Sequence, residues 1–119
     1  MQFLMMCCIN ERQWENIPES ERNKIMGEYG KFVEGLKQGG HYLAGAKLDP
    51  SSRAVTVRQK NGKPAITDGP FAETKEQLGG YHVVECKDRD EAIALAQRIP
   101  TLGAGGVVEV RAIVPVVYE

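Results

Sequence analysis

Apolar residues recur along this chain with two periods, and the changes of period divide it into elements. Residues 2–9 are apolar without a break after Gln2, the pattern of a strand covered on both faces. A polar connection follows. From Pro18 to Gln38 the residues Ile25, Tyr29, Phe32, Val33 and Leu36 fall on one face of an amphipathic helix. Pro18 suits its first turn, and Gly39-Gly40 supplies the left-handed backbone that ends it.

A second apolar run, Tyr42 to Leu48, stops at Asp49-Pro50. Val55 and Val57 then alternate with Thr56 and Arg58 up to Asn61-Gly62, a pair suited to a type I′ turn because both of its central residues need positive φ. Residues 53–67 are therefore expected to form a hairpin, with Pro64 near its edge. Beyond Asp68-Gly69-Pro70, the stretch Tyr81–Cys86 reads as a strand. Asp88 with Glu91 forms a capping box for a helix whose face is Ala92, Leu95, Ala96 and Ile99, and Pro100 stops it. After the glycine-rich Gly103–Gly106, the residues Val108, Val110, Ala112 and Val114 alternate with polar ones in a last strand. The order β-α-β, hairpin, β-α-β predicts an α+β fold of the ferredoxin-like, split βαβ type with an inserted β-hairpin.

Two helices cover one face of such a sheet. In the first strand Phe3, Met5, Cys7 and Ile9 point one way, and Leu4, Met6 and Cys8 the other, so both faces are apolar. A bare apolar face of that size exceeds what soluble monomers expose. A homodimer, or a higher homo-oligomer, closed over the second face into a dimeric α+β barrel is expected. The competing arrangement folds the hairpin or Val116-Val117-Tyr118 over that face within one chain.

Composition narrows the function classes. A chain of 119 residues fits a single domain, 1–119. Its 15 basic and 16 acidic residues give a net charge of −1, which provides no broad field for nucleic acid or an anionic membrane. Phe3 to Ile9 is too short to span a bilayer and lacks the flanks of a leader peptide. Three cysteines, Cys7, Cys8 and Cys86, cannot all pair, which suits a cytoplasmic setting.

The stretch Thr67-Asp68-Gly69-Pro70-Phe71-Ala72-Glu73-Thr74-Lys75-Glu76-Gln77-Leu78-Gly79-Gly80-Tyr81 resembles the DGPF (DGPFAETKE) motif of bacterial YCII-related proteins. Arg58 before a turn, Asp90-Glu91-Ala92 and Val108-Glu109-Val110-Arg111 extend the resemblance over nearly the whole chain. It implies a dimeric α+β barrel and a role that is largely unassigned in the family. The His and Asp pair attributed to some relatives does not carry over: the matching part of the first helix holds Glu28 and Tyr29, and the second ends Arg98-Ile99-Pro100. The resemblance also brings a regulatory reading, an interaction module for a partner such as a sigma factor.

Chemically, Asp68-Gly69-Pro70 makes a rigid turn, Phe71 is an apolar anchor, and Glu73, Lys75 and Glu76 offer acid and base groups. The competing reading is a turn whose Phe fills the core and whose charges are solvated. His82 shares a strand face with Val84 and Cys86, either as a hydrogen-bonded core histidine or as a general base. His82 and Cys86 lie about 13 Å apart on a strand and cannot share a metal. No metal site is expected, and no dinucleotide, P-loop or nucleophile-elbow motif points to a cofactor. Trp14 packs on the helix that follows it or walls a pocket. The reading that results is a homodimeric small-molecule-binding protein, with acid/base chemistry as an extension. Its pocket lies between sheet, first helix and motif loop, with Asp68, Phe71, Glu73, Lys75, Arg58, Tyr29 and His82 as candidate ligand-binding residues.

Overall fold

The computed structural model describes residues 1–118. Its four-stranded antiparallel sheet has the order β2 (Tyr42–Lys47), β5 (Gln77–Glu85), β1 (Gln2–Ile9), β6 (Val107–Ala112). Among the described residues the remaining strands, β3 (Val55–Lys60) and β4 (Lys63–Asp68), pair only with each other, as a separate two-stranded hairpin. Two helices, α2 (Glu19–Gln38) and α3 (Arg89–Ala96), supply the core side chains opposite the sheet. This is the split βαβ arrangement that the hydrophobic periods predict.

The alternation along β1 sets the core. Phe3, Met5 and Cys7 are buried with Val84 of β5, Leu36 of α2, Ala92 and Ala96 of α3, and Ile99 beyond it. Leu4, Met6 and Cys8, on the opposite face, are only half-buried. They pair with Val83, Tyr81 and Leu78 of β5 and with Arg111, Glu109 and Val107 of β6, so a largely apolar surface runs across the sheet on the side away from the helices. Ile66 of the hairpin is 74% exposed, and Val116, Val117 and Tyr118 are 61–90% exposed. Neither segment therefore buries its apolar side chains within the chain.

Several boundaries differ from the sequence reading. The polar connection after β1 holds a short helix, α1 (Glu11–Asn16), whose cap is Asn10: its side-chain oxygen accepts from the Gln13 backbone N–H at 3.1 Å. Six residues are too few to show a helical period. Strand β5 begins at Gln77 rather than Tyr81, because Gly79-Gly80 continues the ladder instead of ending it. A bulge opposite Cys7/Cys8 takes up the extra residue. A Cβ on Gly80 would lie 2.9 Å from the Ala46 carbonyl oxygen, so a side chain there would push β2 away. Helix α3 stops at Ala96, ahead of Ile99, and β6 at Ala112, ahead of Val114. The N-cap of the expected capping box is present, with Asp88 accepting from Glu91 N–H at 2.9 Å; its second bond is shifted by one residue, Glu91 accepting from Lys87 N–H at 3.0 Å. At the hairpin turn Asn61 and Gly62 have φ of 52° and 78°, as a type I′ turn needs.

Candidate functional site

On the helix-covered side, α1, α2 and one end of the sheet enclose a cleft of about 840 Å³, within the range of small-molecule sites. Tyr29, Gly30 and Val33 of α2 form one wall, Trp14 of α1 another, and Gly45 of β2 and His82 of β5 lie on the sheet side. Glu11 lines the rim, but both of its carboxylate oxygens accept from the Ser51 backbone N–H, at 3.1 and 3.2 Å. That bond, with Glu11 N–H donating to Gln77 Oε1 at 2.9 Å, ties α1 to the turn after β2 and to the start of β5. Lys37 stands 5.2 Å above the Tyr42 ring at the opposite rim.

His82 is the polar side chain around which the cleft is organised. It is 8% exposed and sits in an aromatic nest: Tyr29 stacks on it at 6.0 Å between centroids, and Phe32 meets it edge-on at 5.4 Å. Its Nδ1 is buried and has no hydrogen-bond partner among the described residues. A Cβ on Gly45 would stand 2.9 Å from that nitrogen, so the glycine is what leaves room for the ring. Burial lowers the His82 pKa from its ordinary value, which keeps the imidazole neutral near pH 7. The hydrogen-bonded core histidine of the sequence reading is thus replaced by one whose buried nitrogen is unsatisfied.

Tyr29 carries the neighbouring polar group. Its hydroxyl shares a 2.8 Å hydrogen bond with Thr101 Oγ1, and burial drives the phenol far above its usual pKa. The Cys7 thiol is also raised, chiefly by burial, so it is a poor nucleophile.

Of the seven candidates from the sequence, the structure brings Tyr29 and His82 together in this cleft and places the other five outside it. Asp68 ends β4, and Arg58 on β3 donates to the Phe71 carbonyl at 3.0 Å, fastening the motif loop to the hairpin. Phe71 is 76% exposed, so within one chain it neither fills the core nor lines the cleft. Glu73 and Lys75 are exposed, and of the motif stretch only Gln77 to Gly80 reaches the cleft wall. The expected pocket beside the motif loop is therefore displaced toward α1. Sequence reasoning missed Gly45, Glu11 and Thr101 as cleft residues, and gave Trp14 packing first and a pocket wall second. They come from three separate segments, and no spacing links those segments.

The structure also gathers His41, Cys86 and Glu91, whose ligand-type atoms lie within 4.8 Å of one another, a grouping that sequence spacing did not suggest. His41 Nδ1 and one Glu91 carboxylate oxygen already have other partners. His41 Nδ1 is 2.8 Å from the Glu85 carbonyl, Glu91 caps Lys87 N–H, and Cys86 is buried with its thiol pKa raised. Among the described residues, no helix is long and apolar enough to cross a membrane.

Comparison with known proteins agrees with this architecture. The model of the YCII-related domain matches residues 1–117. An uncharacterised protein, R00369, of Rhizobium meliloti strain 1021 is 31% identical over 97 residues, spanning 82% of this chain and 78% of the relative. Among solved structures, the fold is similar to that of 5-chloro-2-hydroxyhydroquinone dehydrochlorinase (TftG) from Burkholderia phenoliruptrix AC1100, in complex with 2,5-dihydroxybenzoquinone. That likeness has a TM-score of 0.54 at 16% identity, over 95% of this chain and 93% of the other.

Proposed function

Starting from the YCII-related family, to which this chain belongs, we propose that the protein is a homodimeric small-molecule-binding protein whose site is the cleft around His82. The observation that carries this reading is the buried, partnerless Nδ1 of a histidine lining a cleft of ligand size. An orphaned buried N–H is rarer and costlier than an orphaned lone pair, which favours a neutral imidazole with its proton on Nε2. In that form the unpartnered Nδ1 is a hydrogen-bond acceptor, suited to a ligand hydroxyl. The aromatic and aliphatic walls suit a small flat ring as the body of the ligand. TftG, a protein of similar fold, is described with 2,5-dihydroxybenzoquinone bound, a planar ring with oxygens at its edge, and a molecule of that class fits the chemistry of this cleft.

Any reaction would draw on the same nitrogen. An unprotonated imidazole nitrogen beside a ligand hydroxyl takes its proton as a general base. The second copy closes the open apolar sheet face formed by Leu4, Met6, Tyr81 and Val83. Three free thiols support a reducing, cytoplasmic setting.

A thermal-shift panel of hydroxyquinones, phenols and aromatic carboxylates tests the site. A ligand at 100 times its Kd adds about 2.7 kcal/mol of apparent stability. A hit should stabilise the native protein and perturb the His82 ring signals in NMR, and His82→Leu should abolish the stabilisation while remaining folded by circular dichroism. A panel without a hit, or a hit that His82→Leu binds unchanged, overturns the assignment.

A further inference from the structure

The β3–β4 hairpin stands apart from the body that contains the cleft. We infer that it is an arm whose apolar face, Val55, Val57 and Ile66, docks on a second copy of this chain, an assignment that rests on the homodimer proposed above.

Strand register puts these residues together. Val57 pairs with Ile66 and Val55 with Asp68, so the three apolar side chains share one face of the ribbon, while Thr56, Arg58 and Lys60 share the other. On that face Val55, Val57 and Ile66 are 59%, 67% and 74% exposed. A two-stranded hairpin is at best marginally stable in water without a surface to pack on, yet among the described residues this one pairs with no other strand. Its edges carry Lys60, Lys63 and Pro64, which discourage ladder pairing with another strand. Docking therefore uses the face and not the edge.

The dimensions of the chain point to a second copy as the occupant. Its radius of gyration is 16.4 Å and its thinnest extent 18 Å, whereas a compact chain of this length has a radius near about 13.5 Å. Its surface is 8703 Å², against about 6,400 Å² for a folded monomer of the same mass. The surplus, roughly 2,300 Å², is what one subunit contributes to a large obligate dimer interface. One face of the four-stranded sheet has a footprint of about 450 Å², and doubling it for side-chain relief still leaves more than half the surplus elsewhere. The exposed apolar side chains of the hairpin, with Phe71 at its base, and of the C-terminal Val114, Val116, Val117 and Tyr118 share the remainder. A net charge of −1 puts no appreciable repulsion in the way of self-association. Under two-fold symmetry each copy gives one arm and receives one.

Sedimentation equilibrium and hydrogen exchange on the full chain test the arm. Val57→Ser with Ile66→Ser changes only side chains exposed in the single chain, so added to the monomeric Val83→Glu variant they should leave its thermal midpoint unchanged. Dimer affinity should fall by about 100-fold or more, and the hairpin amides should lose protection. Val83→Glu, on the sheet face, should produce a monomer and expose the same hairpin amides. A dimeric native chain whose affinity and hairpin protection survive the double substitution would overturn the arm and leave the dimer standing. A native chain that is monomeric at micromolar concentration would instead remove the homodimer, and the arm with it.

Discussion

At the scale of single residues, His82 and Gly45 form a matched pair across neighbouring strands. A methyl group on Gly45 meets His82 Nδ1 at 2.9 Å and the Tyr81 carbonyl at 3.1 Å, and the second of these is backbone that cannot swing aside. Gly45→Ala should therefore cost about 1–3 kcal/mol of stability in urea unfolding and displace the His82 ring signals; a variant as stable as the parent would refute the close fit. The lowered pKa of His82 makes a second forecast. Burial holds its folded pKa below the ordinary 6.5, so between those two values the unfolded chain binds the proton that the folded chain does not. Stability then rises with pH through that window and is lost as pH falls below about 6.5. Unfolding midpoints from pH 5 to pH 8 should show that loss in the native protein and a smaller one in His82→Leu. His82 was visible in the sequence as a candidate, because it stands on a strand face between apolar residues. Its unsatisfied nitrogen was not visible, since that depends on Gly45, 37 positions away, lying beside it.

At the scale of elements, the helices behave as their sequence signals require. Asp88 caps α3 through the Glu91 N–H at 2.9 Å, and Asp88→Ala should cost about 1 kcal/mol with the fold retained, measured as a lower urea midpoint at unchanged slope. The expectation fails if the midpoint does not move. Periodicity located α2, α3 and the hairpin because each is long enough, or carries enough turn chemistry, to specify itself. It missed α1 and misplaced the start of β5. Six residues do not complete two helical turns, and Gly79-Gly80 reads locally as a loop although the neighbouring strands hold it in the ladder. The motif stretch shows the same limit. Its turn residues were legible, but the strand partners of Gln77 to Gly80 carry only its end to the cleft, and Phe71 stays outside.

For the whole molecule, the central question is how the second face of the sheet is covered. If a second copy covers it, light scattering should give twice the 13.1 kDa of the single chain. Cys8, half-buried on the open face, should then react slowly with an alkylating reagent in the native protein and rapidly in Val83→Glu. Equal rates would argue against burial of that face. The apolar alternation of β1 by itself determined that both sides of the sheet shun water, because side-chain direction in a strand follows from its period of two. The ferredoxin-like order of elements was likewise written in the hydrophobic periods and turn residues, which act over a few neighbouring positions. Only the tertiary structure decided where the cleft lies. Trp14, Tyr29, Gly45, His82 and Thr101 meet there because strand order and register fold distant segments together, and no local pattern in a chain encodes which strand will stand beside which.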